Sequence, residues 1–134
     1  MANDRCRIYW NYALPTARLL RANKPDITLL DLRTKEIFVI EFSCPAEINI
    51  NNKEIEKRDK YRDLIFELEK LYPGYKVKLV VLIIGSLGGM KPNFVKELET
   101  VPVCRTQSVM LSCRMQKAAI LGSLYIVRAH GVTS

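Results

Sequence analysis

The chain has 134 residues, of which 49% are hydrophobic and 26% charged, and it carries a net charge of +7. That length suits one domain with a real core, and the composition is that of a folded globular protein rather than a disordered one. No apolar run approaches the ~18 residues of a membrane span, and Asp4, Arg5, Arg7 and Asn11 interrupt the pattern a secretory leader would need.

Residues 1–23, with the stretch RIYWNYALPTARLLRAN, read as a short helix or an extended arm. Asn23 and Pro25 disfavour helix at its end, because a residue before proline avoids the α region. Residues 26–32 (DITLLDL) and 36–43 (EIFVIEFS) read as strands rich in Ile, Leu, Val and Phe. The short polar link Arg33-Thr34-Lys35 predicts an antiparallel hairpin. Residues 52–72 predict one helix, capped by Asn51 or Asn52, with Tyr61, Leu64, Ile65, Leu68, Leu71 and Tyr72 forming one apolar stripe. Pro73-Gly74 ends it. Residues 76–84 (KVKLVVLII) predict a central strand buried on both faces, and GSLGG follows as a turn. A short helix over Pro92–Glu99, a short strand over Val101–Cys104 and a longer helix over Gln107–Arg128 complete the chain. The expected fold is an α/β sandwich around a small mixed sheet flanked by helices.

Asp26 and Glu41 interrupt segments that otherwise favour burial. Counting outward from the hairpin turn places residue 26 across from 41 or 42. Two close carboxylates repel unless one is protonated or a cation lies between them. A hard divalent ion is the natural cation, and Mg²⁺ takes one or two carboxylates together with water and substrate phosphate. The alternative is a strand-start cap at Asp26 and an edge ion pair at Glu41. On a helical wheel Lys57 falls on the apolar stripe, early in the predicted helix, where the macrodipole disfavours a cation. Carboxylates or phosphate would account for it; otherwise its stem snorkels to water. Lys60 lies at the margin of the stripe as a second candidate, and Glu54 is a further metal ligand or lysine partner. Two acidic ligands and a lysine suit phosphodiester hydrolysis, in which a metal activates water and the lysine stabilises developing negative charge.

The segment NKPDITLLDLRTKEIFVIEF, followed by EKRDKYRDL, resembles the restriction-like endonuclease domain of non-LTR (LINE-type) retrotransposon polyproteins, a branch of the PD-(D/E)xK nuclease superfamily. YWNYALPTARLLRANKPD upstream, and LVVLIIGSLGG and MQKAAILGSLYIVR downstream, extend the resemblance over most of the chain. It implies a restriction-endonuclease-like core with residues 24–104 as the catalytic part, 1–23 as an arm and 105–134 as a basic C-terminal helix. It implies Asp26 and Glu41 as Mg²⁺ ligands, with Mn²⁺ substituting, and the Phe42 backbone carbonyl as a third. Ser43 stands where the superfamily usually has lysine, so the lysine role passes to Lys57 or Lys60 in the following helix. Lys24 and Pro25 would shape the entrance. The implied activity is nicking of chromosomal DNA to leave a 3′-hydroxyl that a reverse transcriptase of the parent polyprotein extends. DNA is the expected partner, with a homodimer if both strands are cut, in the nucleus. The rival readings are an inactive nucleic-acid-binding module of the same fold and a structural assembly domain.

No acidic residue occurs from Val101 to Ser134, whereas Arg105, Arg114, Lys117 and Arg128 do, which suits contact with a nucleic-acid backbone. Tyr61 could pack under the site or touch DNA, and Trp10 and Tyr12 could close the core or stack on a base. Gly85, Gly88 and Gly89 read as a plain turn or as room for a phosphate. Cys6, Cys44, Cys104 and Cys113 form no CxxC pair and are expected to be buried free thiols in an intracellular, reducing setting. The single histidine, His130, leaves zinc without a ligand cluster.

Overall fold

A computed structural model describes residues 6–10, 25–101 and 107–129. The elements in order are β1 (Cys6–Trp10), β2 (Ile27–Asp31), β3 (Glu36–Ser43), a 3-10 turn (Glu47–Asn49), α1 (Ile50–Lys60), α2 (Arg62–Leu71), β4 (Lys76–Ile83), α3 (Phe94–Glu99) and α4 (Ser108–Ala129). The protein is mixed α/β. Its four strands lie in the order β1-β2-β3-β4. Two compact units are formed by the described residues of Met1–Phe42 with Ile55–Val81, and of Ser43–Glu54 with Leu82–Ser134.

In the first unit, β2 and β3 form the expected antiparallel hairpin, with Ile27 opposite Ile40 and Asp31 opposite Glu36. The turn is one residue longer than expected because β2 ends at Asp31. The buried Asp31 carboxylate accepts the Arg33 and Thr34 N–H groups at 3.1 and 3.2 Å, and Lys35 takes a left-handed φ of 58° to re-enter the sheet. The arm expected at the N-terminus contains β1, which pairs antiparallel with β2 from Cys6 opposite Asp31 to Trp10 opposite Ile27 and covers that edge. On the other side, Lys76 N–H donates to the Lys35 carbonyl at 3.0 Å and Ile84 N–H to the Ser43 carbonyl at 3.1 Å. The offset is the same at both ends, so β4 runs parallel to β3 and the sheet is mixed. Five successive residues of β3, Ile37 to Glu41, are buried. β4 departs from expectation: Lys76 and Lys78 are exposed, and only Val80–Ile83 form an unbroken buried run.

Alternation along β3 puts Ile37, Val39 and Glu41 on one face. Ile37 and Val39 pack there with Tyr61, Leu64 and Leu68. The helix expected over 52–72 is two helices meeting at Tyr61, whose φ of −99° and ψ of 5° bend the axis. The hydrogen-bond ladder continues through the bend, from Tyr61 N–H to the Lys57 carbonyl at 3.2 Å and from Ile65 N–H to the Tyr61 carbonyl at 3.1 Å. α1 buries no residue, whereas α2 buries Leu64, Glu67 and Leu68. The bend falls at Tyr61, the first residue held by the core. Asn51 and Asn52 are not caps, because the preceding 3-10 turn moves the helix start to Ile50. Leu71, expected in the stripe, is 42% exposed at the last position of α2, whereas Glu67 is buried.

In the second unit, Phe94 and Leu98 of α3 are buried one helical turn apart, together with Leu82, Ile83, Ile84 and Val101. α3 begins two residues after the expected Pro92 and packs on α4. α4 matches its expected span. Of the strand expected over Val101–Cys104, only Val101 is described, as a bend; the rest lies outside the described residues. Cys44 and Cys113 are free but exposed, correcting the expectation of burial, because the segment after β3 and the outer face of α4 are solvated. The Cys6 and Trp10 side chains, Tyr12, Cys104 and His130 lie outside the described residues. Among the described residues no helix is long and apolar enough to cross a membrane.

Candidate functional site

Glu41 extends the buried face of Ile37 and Val39 by one more inward position, so a carboxylate stands where the pattern would next place an apolar side chain. It is 3% exposed. The hairpin register carries residue 26 opposite 41, and Asp26 follows the buried Pro25. Each acid ties down the other strand. Asp26 N–H donates to Glu41 Oε2 at 2.8 Å, and Phe42 N–H donates to Asp26 Oδ2 at 2.9 Å. Side-chain oxygens thus continue the β2–β3 ladder where its backbone pairing stops.

Lys57 reaches the same place from α1. Its Nζ donates to Glu41 Oε1 at 2.9 Å, and its side chain is 16% exposed. The helix boundaries change the position expected from sequence: α1 stops at Lys60, so Lys57 lies in its last turn rather than early in one long helix, and the Glu41 carboxylate is what meets its charge there. One turn on, Tyr61 completes the group with a hydrogen bond to Glu41. Burial, then the charge of Glu41, then that hydrogen bond, then the charge of Asp26 push the Tyr61 phenol up, so it stays protonated and donates. Glu41 therefore receives a backbone N–H, an ammonium and a phenol, which is the satisfaction a buried carboxylate requires.

The other expected site residues fall elsewhere. Lys60 is exposed, with its ammonium 5.2 Å from the Tyr61 ring centroid, and makes no ion pair with Asp26 or Glu41 among the described residues. Tyr61 is 2% exposed, which overturns a DNA contact and leaves the packing reading. Glu54 forms an ion pair with Lys91 at 3.2 Å. A strand residue's N–H and C=O point to the same side, so the Phe42 carbonyl lies on the Asp26 side of β3. Arg114 and Lys117 are exposed on α4. Lys24, Arg105 and the Arg128 side chain lie outside the described residues. The phenol on Glu41 was not anticipated from sequence, although Tyr61 stands four residues after Lys57 on the same stripe.

Among the described residues no group of three or more His, Cys, Asp and Glu side chains converges. The donors available to a cation are the Asp26 and Glu41 carboxylates and the Phe42 carbonyl. That all-oxygen set fits a hard ion that keeps water or phosphate in its remaining positions. Two carboxylates against one ammonium also leave the formal charge of the cluster negative. Fold and site define a mixed α/β protein with two acids, Glu41 buried and Asp26 half-buried, and a lysine at one end of its central hairpin. No protein-family model matches the chain, and no curated protein or solved structure matches it either.

Proposed function

We propose that the chain is a Mg²⁺-dependent DNA endonuclease with a restriction-endonuclease-like core, of the kind carried by non-LTR retrotransposon polyproteins. The observation that supports it best is that the Glu41 carboxylate binds both the Asp26 N–H and the Lys57 ammonium, while the Asp26 carboxylate holds the next residue of the same strand, Phe42. Asp26 and Glu41 would hold the ion, with the Phe42 carbonyl as a third oxygen. When bound, Mg²⁺ polarises a phosphoryl oxygen and makes coordinated water more acidic. Lys57 offers its remaining N–H donors to the attacking water or to the negative charge that builds on the phosphate. Tyr61 holds the Glu41 carboxylate in one orientation from below. Cleavage that leaves a 3′-hydroxyl would prime a reverse transcriptase from the same polyprotein on nuclear DNA, and two copies would be needed to cut both strands at once.

A second reading is favoured by one specific observation. Lys57 is bound to Glu41, and Ser43 stands at the usual lysine position, so the same fold could bind nucleic acid without cutting it. Nicking of supercoiled plasmid decides between them. With Mg²⁺ or Mn²⁺ the protein should convert plasmid to the open circle, EDTA should stop it, and Asp26→Ala or Lys57→Ala should each lower the rate by about 100-fold or more. Metal-independent nicking, or nicking untouched by Asp26→Ala, would sink the nuclease reading. DNA binding without nicking would leave the binding module.

A further inference from the structure

The Gly85–Gly89 loop (GSLGG) in the second unit already holds an anion. Leu87 N–H and Gly89 N–H both donate to Glu47 Oε1, at 2.8 and 3.3 Å. A Cβ added at Gly85 or Gly89 would overlap the same carboxylate, so the space it fills exists because both residues lack a side chain. Gly88 turns the chain back with a φ of 91°, and Gly85 N–H to the Gly89 carbonyl and Gly88 N–H to the Gly85 carbonyl, each 2.8 Å, close the ring. Gln116 Nε2 braces it from α4 through the Gly88 carbonyl at 2.6 Å. Converging backbone N–H groups of this kind form a nest for oxyanions. Glycine is costly in conformational entropy, and two of them here make the room that one carboxylate fills.

The occupant is the tip of a flexible side chain on a half-buried residue, and Leu87 at the rim is 75% exposed, so the cradle opens to solvent. The helix that braces the loop faces it with Gln116 and Ile120, carries exposed Arg114 and Lys117 elsewhere on its surface and contains no acidic residue. We propose that the loop is a phosphate cradle, kept filled by Glu47 and vacated when a backbone phosphate of nucleic acid displaces that carboxylate. The identity of the ligand rests on the nucleic-acid reading above; the cradle itself does not.

The test follows the Leu87 and Gly89 amides by ¹⁵N NMR in the full chain while inorganic phosphate is added at constant ionic strength. Because Glu47 competes at the high effective concentration of a tethered group, Glu47→Ala should bind phosphate about tenfold or more tightly than the unaltered protein. Glu47→Gln, which keeps the volume and removes the charge, should fall between the two. It also decides the matter if the alanine variant does not fold. The absence of saturable shifts at both amides in the folded variants overturns the cradle, and shifts confined to exposed lysines and arginines mean an adventitious ion only and overturn it equally. A short DNA duplex added to the unaltered protein should move the same two amides; if phosphate moves them and DNA does not, nucleic acid is overturned as the source. None of these readings uses nicking, so a protein that fails as a nuclease can still pass or fail here.

Discussion

Glu41 concentrates the energetics of the site. A carboxylate 3% exposed is tolerated only because three donors meet it, and losing one leaves charge poorly compensated in a poorly solvated place. Tyr61→Phe removes the phenol while keeping the ring that packs on Ile37, Val39, Leu64 and Leu68. Urea denaturation should show a loss of about 1.5–3 kcal/mol, the range for a hydrogen bond to a charged group. An unchanged midpoint would mean that the phenol contributes nothing to holding the carboxylate. Sequence exposed part of this group. Counting from Arg33–Lys35 brought residue 26 to 41, and the helical wheel turned Lys57 inward. The phenol–carboxylate bond was hidden, because a tyrosine on an apolar stripe looks the same whether its oxygen is bonded or not.

Among the elements, the hairpin and its parallel neighbour carry two separable effects. Lys35 occupies left-handed backbone at φ 58°, a region that disfavours side chains with a Cβ, and its carbonyl still serves Lys76 N–H. Lys35→Gly keeps that bond and relieves the crowding, so thermal unfolding should show a gain of about 1 kcal/mol; a loss would mean that the lysine side chain supports the turn. One residue further on, Glu36 at the start of β3 pairs with Lys78 of β4 at 2.9 Å. The Lys78 hydrogen bond is the main cause holding the Glu36 carboxyl below its usual range, against burial, with Thr34 and the Lys78 charge assisting. A depressed carboxyl stabilises the fold in its ionised form. The contribution is therefore full above the ordinary carboxylate range and disappears as pH falls through the lowered value. The stability gap between the unaltered protein and Glu36→Gln should be widest near neutrality and close on acidification. A gap that widens toward acid would reverse the assignment.

Across the molecule, the net positive charge is carried most where acid is absent: from Val101 onward there are four lysines and arginines and no acidic residue. Exposed Arg114 and Lys117 are the described members of that set. If they follow a nucleic-acid backbone, each phosphate contact releases counterions, and the slope of log K against log salt measures how many. Replacing both by alanine should reduce the magnitude of that slope by about 1.8 on duplex DNA, since each contact contributes about 0.9. An unchanged slope would make the two residues ordinary solvated surface and weaken the binding-module and nuclease readings together.

Local pattern was enough to reveal the hairpin strands, the α4 span and the proximity of Asp26 to Glu41, because each depends on near neighbours: β-branched runs, a short polar turn and helical periodicity. It left three features undetermined. β1 looked like an arm because its strand character comes from pairing with β2. The bend at Tyr61, which ends α1 within a turn of Lys57, falls where the core takes hold, since α2 buries three residues and α1 none. The Glu47 carboxylate in the glycine loop joins residues about forty apart in the chain. Contacts at that separation cannot be read from periodicity, because they exist only once the sheet has brought the ends of β3 and β4 side by side.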